Sequence, residues 1–126
     1  IDITQYNIHK PPSSFVKFTR KKHIQDDYDK FMSLLKKYNI LIEDYIKQEI
    51  IKDNLYKLCL NDFPYDIPNY THYLLWISPD IKIKIPYYII NYYLNSKFSN
   101  YICFENHIKN KSVLGIRHFH VFVPMK

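Results

Sequence analysis

The residues in this chain best suited to chemistry sit near its end, in Arg117-His118-Phe119-His120-Val121-Phe122. Two histidines two positions apart on a strand project from the same face, with Phe119 and Val121 on the other. Paired imidazoles are costly to bury without partners, so polar groups or solvent are expected around them. A neutral imidazole can act as a nucleophile or a general base near pH 7, or bind a metal. The plain structural alternative is a partly exposed pair on a surface strand. A metal site would need more ligands, and His72 and Asp62 could join the pair only without any diagnostic spacing, so no metal and no cofactor are expected. Cys59 and Cys103 occur singly in apolar contexts and read as small core residues, not as a disulfide framework.

A second group of interest is the loop Asn61-Asp62-Phe63-Pro64-Tyr65 and the run His72-Tyr73-Leu74-Leu75-Trp76 that follows it. Asn and Asp beside prolines serve turns as readily as ligands, and the sole tryptophan reads as core. Other chemistries are excluded by what is missing. The 126 residues contain one glycine, so neither a P-loop nor a dinucleotide-binding turn can be built. A serine elbow of the Gly-x-Ser-x-Gly type is absent as well.

The net charge of +6 and 13 tyrosines would ordinarily suggest nucleic acid. However, Ile, Lys, Asn and Tyr dominate the chain and Ala is missing, the composition expected of an A/T-rich genome. The charge is therefore weak evidence by itself. The length allows one domain with one core. No apolar run approaches the roughly 20 residues of a membrane helix. No secretory signal opens the sequence, and a reduced, cytoplasmic setting is expected.

Elements able to position these residues follow from periodicity. Residues 1–25, with Pro11-Pro12-Ser13-Ser14, read as an arm or strap without a core face. The cluster Arg20-Lys21-Lys22-His23 reads as a solvated turn in preference to a phosphate contact. A helix is expected from about Asp26, with Tyr28, Phe31, Leu34, Leu35 and Tyr38 on its apolar stripe. A second is expected over about Leu41 to Asp53, with Ile42, Tyr45, Ile46 and Ile50 on one face. Strands are expected over Tyr56–Leu60, Tyr70–Ser78, Ser99–Phe104 and Ile116–Val123. Between the second and third lies a helix opened by Pro86, with Ile89, Ile90, Tyr93 and Leu94 inward. The expected fold is α+β, order α-α-β-β-α-β-β, with N-terminal helices on a small antiparallel sheet. Its single domain spans 26–126, helical over 26–54 and sheet over 55–126. Tyr87, Tyr88, Tyr92 and Tyr93 are too many for one buried stripe, which offers a surface for a protein partner.

Asn61-Asp62-Phe63-Pro64-Tyr65, His72-Tyr73-Leu74-Leu75-Trp76, Phe104-Glu105-Asn106, Lys111-Ser112-Val113 and His118-Phe119-His120-Val121-Phe122-Val123 together resemble the N-acetylglucosamine-induced protein 1 family. That family, found in fungi and large DNA viruses, is a domain of unknown function. More distantly, the layout is similar to the histidine-triad (HIT-like) nucleotide hydrolases and transferases. This second resemblance implies a nucleotidyl-imidazole intermediate formed by His120, with His118 orienting it. It also implies Asp62 at the ribose and Asn106 and Ser112 at phosphate oxygens. Asn61, His72 and Arg117 complete the candidate ligand-binding set. The pattern departs from that superfamily in having Phe122 where a third histidine is expected and four residues between Ser112-Val113 and His118. The alternatives are a non-catalytic module for a nucleotide, RNA or a capped 5′ end, or a protein-interaction subunit of a larger complex, viral or other.

Overall fold

A computed structural model describes all residues, 1–126. Helix α1 covers Lys22–Lys37, and α2 covers Ile42–Tyr45 and continues as a π-helical turn, Ile46–Ile51. Strands β1 (Tyr56–Leu60) and β2 (Tyr70–Ile77) follow, then α3 (Tyr87–Lys97), β3 (Ile102–Phe104) and β4 (His118–Pro124). The four strands form one antiparallel sheet in the spatial order β1-β2-β4-β3, so β4 lies in its interior.

Register assigns every side chain to a face. Trp76 pairs with His118, Leu74 with His120 and His72 with Phe122. Cys59 on β1 lies opposite Leu74, and Phe104 on β3 lies opposite His120. These residues share the face that carries the histidines. The other face presents Leu75, Phe119, Val121 and Cys103, against which α3 packs Ile90 and Leu94. The alternation within β4 thus separates an apolar core from a polar floor.

Several boundaries differ from the sequence-based expectation. Helix α1 starts at Lys22, one turn before Asp26, with an exposed Lys22–Asp26 ion pair of 3.0 Å across its first turn. Of its expected stripe, Leu35 is buried and Tyr28 and Phe31 are half-buried, but Leu34 and Tyr38 face solvent. The helix ends in a Schellman motif: Ile40 N–H donates to Leu35 O and Asn39 N–H to Lys36 O, with Asn39 at φ 55°. In a chain almost without glycine, asparagine takes this left-handed position.

The π turn explains why Ile46 and Ile51 are both buried although they are five residues apart. An α-helix would turn them to different sides, whereas a π turn stacks them. In α3, Ile89 is exposed rather than inward, and Pro86 is the N-cap. Strand β3 is shorter than expected, beginning at Ile102, and β4 begins at His118 rather than Ile116. The arm is also more than a strap. Ile3 packs with Phe104 and Phe122 on the histidine face, and Ile8 joins the core beneath α3. On α3, Tyr88 and Tyr92 are exposed while Tyr87 and Tyr93 are half-buried. No helix is long and apolar enough to cross a membrane.

The lone glycine has a specific contact. A Cβ on Gly115 would stand 2.9 Å from Glu43 Cγ, where α2 crosses the loop leading into β4. Leu94 is fully buried between α3 and the sheet, away from the histidines. Leu94→Ala is expected to cost about 2–5 kcal/mol in urea unfolding, while the histidine resonances in an NMR spectrum stay in place.

Candidate functional site

The polar floor opens into a cleft of about 220 Å³ between the sheet, α1, α2 and the two loops that flank β4 and β1. Most of its wall is apolar, including Phe31, Ile42, Tyr45, Ile46 and Trp76, which suits a flat ring. Its polar end gathers Arg20, Asn61, Asp62, Asn106, Ser112, His118 and His120. Side chains separated by up to 100 residues of sequence therefore meet at one place.

The floor is held by a directed chain of hydrogen bonds. Tyr65 N–H, in the β1–β2 loop, donates to His72 Nδ1 at 3.1 Å, and Asn61 Nδ2 approaches the same atom at 3.4 Å. A backbone amide can only donate, so His72 Nδ1 is an acceptor and the ring proton sits on Nε2. His72 Nε2 lies 2.8 Å from His120 Nδ1. Nδ1 of His120 must therefore accept, and the His120 proton sits on Nε2, which faces Asn106 at 3.1 Å. Tyr65 stacks on His120 at 5.1 Å and 19°, and Phe18 of the arm stacks on the other side of Tyr65.

His118 differs. Its Nδ1 stands 2.9 Å from Ile116 O and donates to it, which leaves a lone pair on Nε2. That atom makes no hydrogen bond within the protein, and it is not sealed away; His118 lines the cleft. The Trp76 indole packs against the His118 ring at 4.7 Å. Trp76 Nε1 is the only sealed side-chain polar atom without a hydrogen-bond partner. It lies against the Cys59 thiol, whose pKa burial raises and this contact lowers.

All three rings are neutral at pH 7. Burial pushes His72 down to about 3, with the Arg20 charge adding to the effect. Burial also holds His120 well below its ordinary value, reinforced by His72 and His118. His118 is lowered by burial, and its bond to Ile116 O opposes this in part. The Tyr65 hydroxyl is raised by burial and stays protonated.

Of the residues singled out in the sequence, His118, His120, Asn61, Asp62, Asn106 and Ser112 line the cleft, with Asp62 and Ser112 at its exposed rim. His72 lies beneath it, in contact with His120 rather than with the cavity. Arg117 is not at the site. It precedes His118, so it points to the other side, where it pairs with Glu105 at 3.2 Å and donates to Ile85 O at 2.8 Å. The histidines are buried, at 4% and 5% exposure, not a surface pair. His120, the nucleophile expected from its motif, has both nitrogens engaged. The arrangement does not resemble a metal centre either: no three His, Cys, Asp or Glu side chains converge as ligands. The lone pair of His120 Nδ1 is occupied by the His72 proton.

Arg20 is the residue that sequence reasoning placed elsewhere. Its Nε donates to Phe63 O at 2.8 Å, and its guanidinium lies over the Tyr28 ring at 4.2 Å. It is the only Lys or Arg lining the cleft, and no carboxylate pairs with it. The nearby Lys111 pairs with Glu105 at 3.5 Å.

No family model matches the chain, and no curated protein matches it. Among solved structures, one described as the crystal structure of HTC1 is similar in fold. It superposes with a TM-score of 0.54 at 20% identity, over 86% of this chain and 77% of that one.

The buried neutral histidines make stability depend on pH. The unfolded chain takes up protons on these rings below pH 6.5 and the folded chain does not, so stability is full above pH 6.5 and falls with pH toward 3. Over that whole window His72 alone contributes on the order of 5 kcal/mol. Urea unfolding at a series of pH values from 7 to 4 is expected to show this loss, and His72→Phe to make it shallower by the His72 share, His118 and His120 keeping theirs.

Proposed function

We propose that this chain is a histidine-triad-like domain that recognises a nucleotide phosphate, with His118 as its nucleophile. The observation that carries this reading is the fixed tautomer of His118, with Nδ1–H tied to Ile116 O and the Nε2 lone pair open to a half-apolar cleft. The resemblance in sequence favoured His120 for this role. The proton on His120 Nε2 argues for His118 instead, because a nitrogen that carries a proton has no lone pair to offer.

The chemistry follows from that placement. The apolar wall takes the base, and the polar end takes the phosphoryl group. The His118 Nε2 lone pair attacks the α-phosphorus, an N–P bond forms, and the bond from phosphorus to the leaving group breaks, its electron pair departing with the leaving oxygen, or with the nitrogen of a phosphoramidate. Water then attacks the phosphorus, and the N–P bond breaks with its electron pair returning to His118 Nε2. One proton of the water passes to the departed leaving group or to solvent, and a nucleoside monophosphate leaves with His118 again neutral. Developing charge on the phosphoryl oxygens is met by Asn106 and Ser112 at the cleft and by the Arg20 guanidinium. Arg20 is held by Phe63 O, by Gln25 Oε1 at 3.5 Å and over Tyr28, so it offers its remaining N–H groups without a search. Side chains thereby do the work of a glycine-rich amide cradle, which this chain cannot make.

Turnover of a panel of nucleoside diphosphates, nucleoside phosphoramidates and cap analogues tests the reading. His118→Ala is expected to lower kcat by more than about 10³-fold, and an acid-labile nucleotidyl adduct is expected on His118 of the unaltered protein. Full activity in His118→Ala overturns the assignment. Binding of a nucleotide with no turnover by the unaltered protein would leave a recognition module in place of an enzyme. Arg20→Gln is expected to raise KM or Kd about 10-fold or more, the loss of one charge-assisted contact.

A further inference from the structure

The directed chain that starts at Tyr65 N–H ends on Asn106, and its direction decides how that side chain is turned. A single amide atom of Asn106 lies 3.1 Å from His120 Nε2 and 2.8 Å from the Tyr65 hydroxyl oxygen. The two ends of an asparagine amide have the same shape, and only hydrogen bonding distinguishes them. His120 Nε2 carries a proton, so the atom facing it has to be the acceptor, Oδ1. The Tyr65 hydroxyl then donates to the same oxygen, which has lone pairs for both. With Oδ1 committed inward, the NH₂ group takes the amide's other position. That position makes no hydrogen bond within the protein, is not sealed, and belongs to a residue lining the cleft.

We propose that His72 and His120 are positioning residues whose fixed protons lock the Asn106 amide with its NH₂ group toward the cleft, ready to donate to an anionic oxygen. The identity of that oxygen as phosphoryl rests on the reading above, but the lock itself does not. Reversing the amide would place a carbonyl oxygen against the ligand and a second donor against His120 Nε2–H. The lock thus discriminates for anions and against cations at the polar end of the cleft. It also explains why two imidazoles are buried side by side, at 4% and 5% exposure. Each passes one direction of hydrogen bonding from a backbone amide that cannot reverse to an amide side chain that otherwise could.

Long-range ¹H–¹⁵N spectra of the full chain at pH 7 read the lock directly. The expected result is Nε2–H for His72 and His120 and Nδ1–H for His118. A His120 carrying its proton on Nδ1 overturns the proposal. In titration with AMP, the Asn106 NH₂ signals are expected to shift. His72→Phe removes the donor to His120, and is expected to mix the His120 tautomers and weaken AMP binding about 10-fold. His72→Gln, whose amide nitrogen can donate in place of the imidazole, is expected to restore both. Unchanged His120 tautomer and Asn106 signals in a folded His72→Phe also overturn it. If His72→Phe does not fold, the wild-type tautomers and the His72→Gln signals decide in its place. Tautomers as assigned, with Asn106 NH₂ signals that move in His72→Phe but do not respond to AMP, support the lock and count against the phosphate reading alone.

Discussion

The bond from Tyr65 N–H to His72 Nδ1 is the constraint on which the site depends. Side-chain donors and acceptors can exchange roles, but a backbone N–H cannot. Once it is aimed at His72, the proton positions on His72 and His120 follow without further choice. That amide is aimed correctly only because the Asn61–Asn69 loop folds back over β2. Asn61 shapes the turn by accepting from Phe63 N–H, and Arg20 pins Phe63 O from outside. The arm contributes as well, since Phe18 stacks on Tyr65 and holds its ring over His120. Loop, arm and sheet therefore converge on one hydrogen bond.

The two faces of the sheet divide the labour. Beneath α3, the core of Leu75, Phe119 and Val121 with Ile90 and Leu94 supplies apolar burial. On the opposite face, the same strands carry two rings that are apolar at their flanks and polar at their edges, His72 and His120. Stacking satisfies the flanks, and the hydrogen-bond chain satisfies the edges. Burial of neutral imidazoles is tolerable only because both requirements are met together. The same coupling makes the site sensitive to acid, because protonating His72 or His120 adds charge and removes an acceptor in one step.

Much of the fold was legible in the sequence because it rests on periodicity. The strands and α3 announce themselves by β-prone runs and by proline, and the spacing of His118 and His120 puts them on one face. The rule of alternation also removes Arg117 from that face, a consequence that its proximity to the motif obscured. What could not be read depends on contacts between distant segments. Arg20 looks like one member of a solvated basic run, and only the position of the Phe63 carbonyl distinguishes it from Lys21 and Lys22. The roles of His118 and His120 cannot be read from spacing, since both are equivalent until a carbonyl and a neighbouring imidazole assign their protons. The π turn was invisible for a related reason: its signature is two buried isoleucines five apart, which an α-helical template does not seek.

Helix α1 roofs the cleft yet is fastened differently from everything else around it. It buries one residue, Leu35, and otherwise meets the site through Met32 and the edges of Tyr28 and Phe31, with the guanidinium of Arg20, from the arm, lying over Tyr28. The floor, by contrast, is woven into the interior strand of the sheet. The two halves of the cleft are thus held by unlike forces, the roof by ring edges and a cation over a ring, the floor by directed hydrogen bonds inside a sheet. Because the Arg20 guanidinium rests on Tyr28, the polar end takes part of its order from the helix above it.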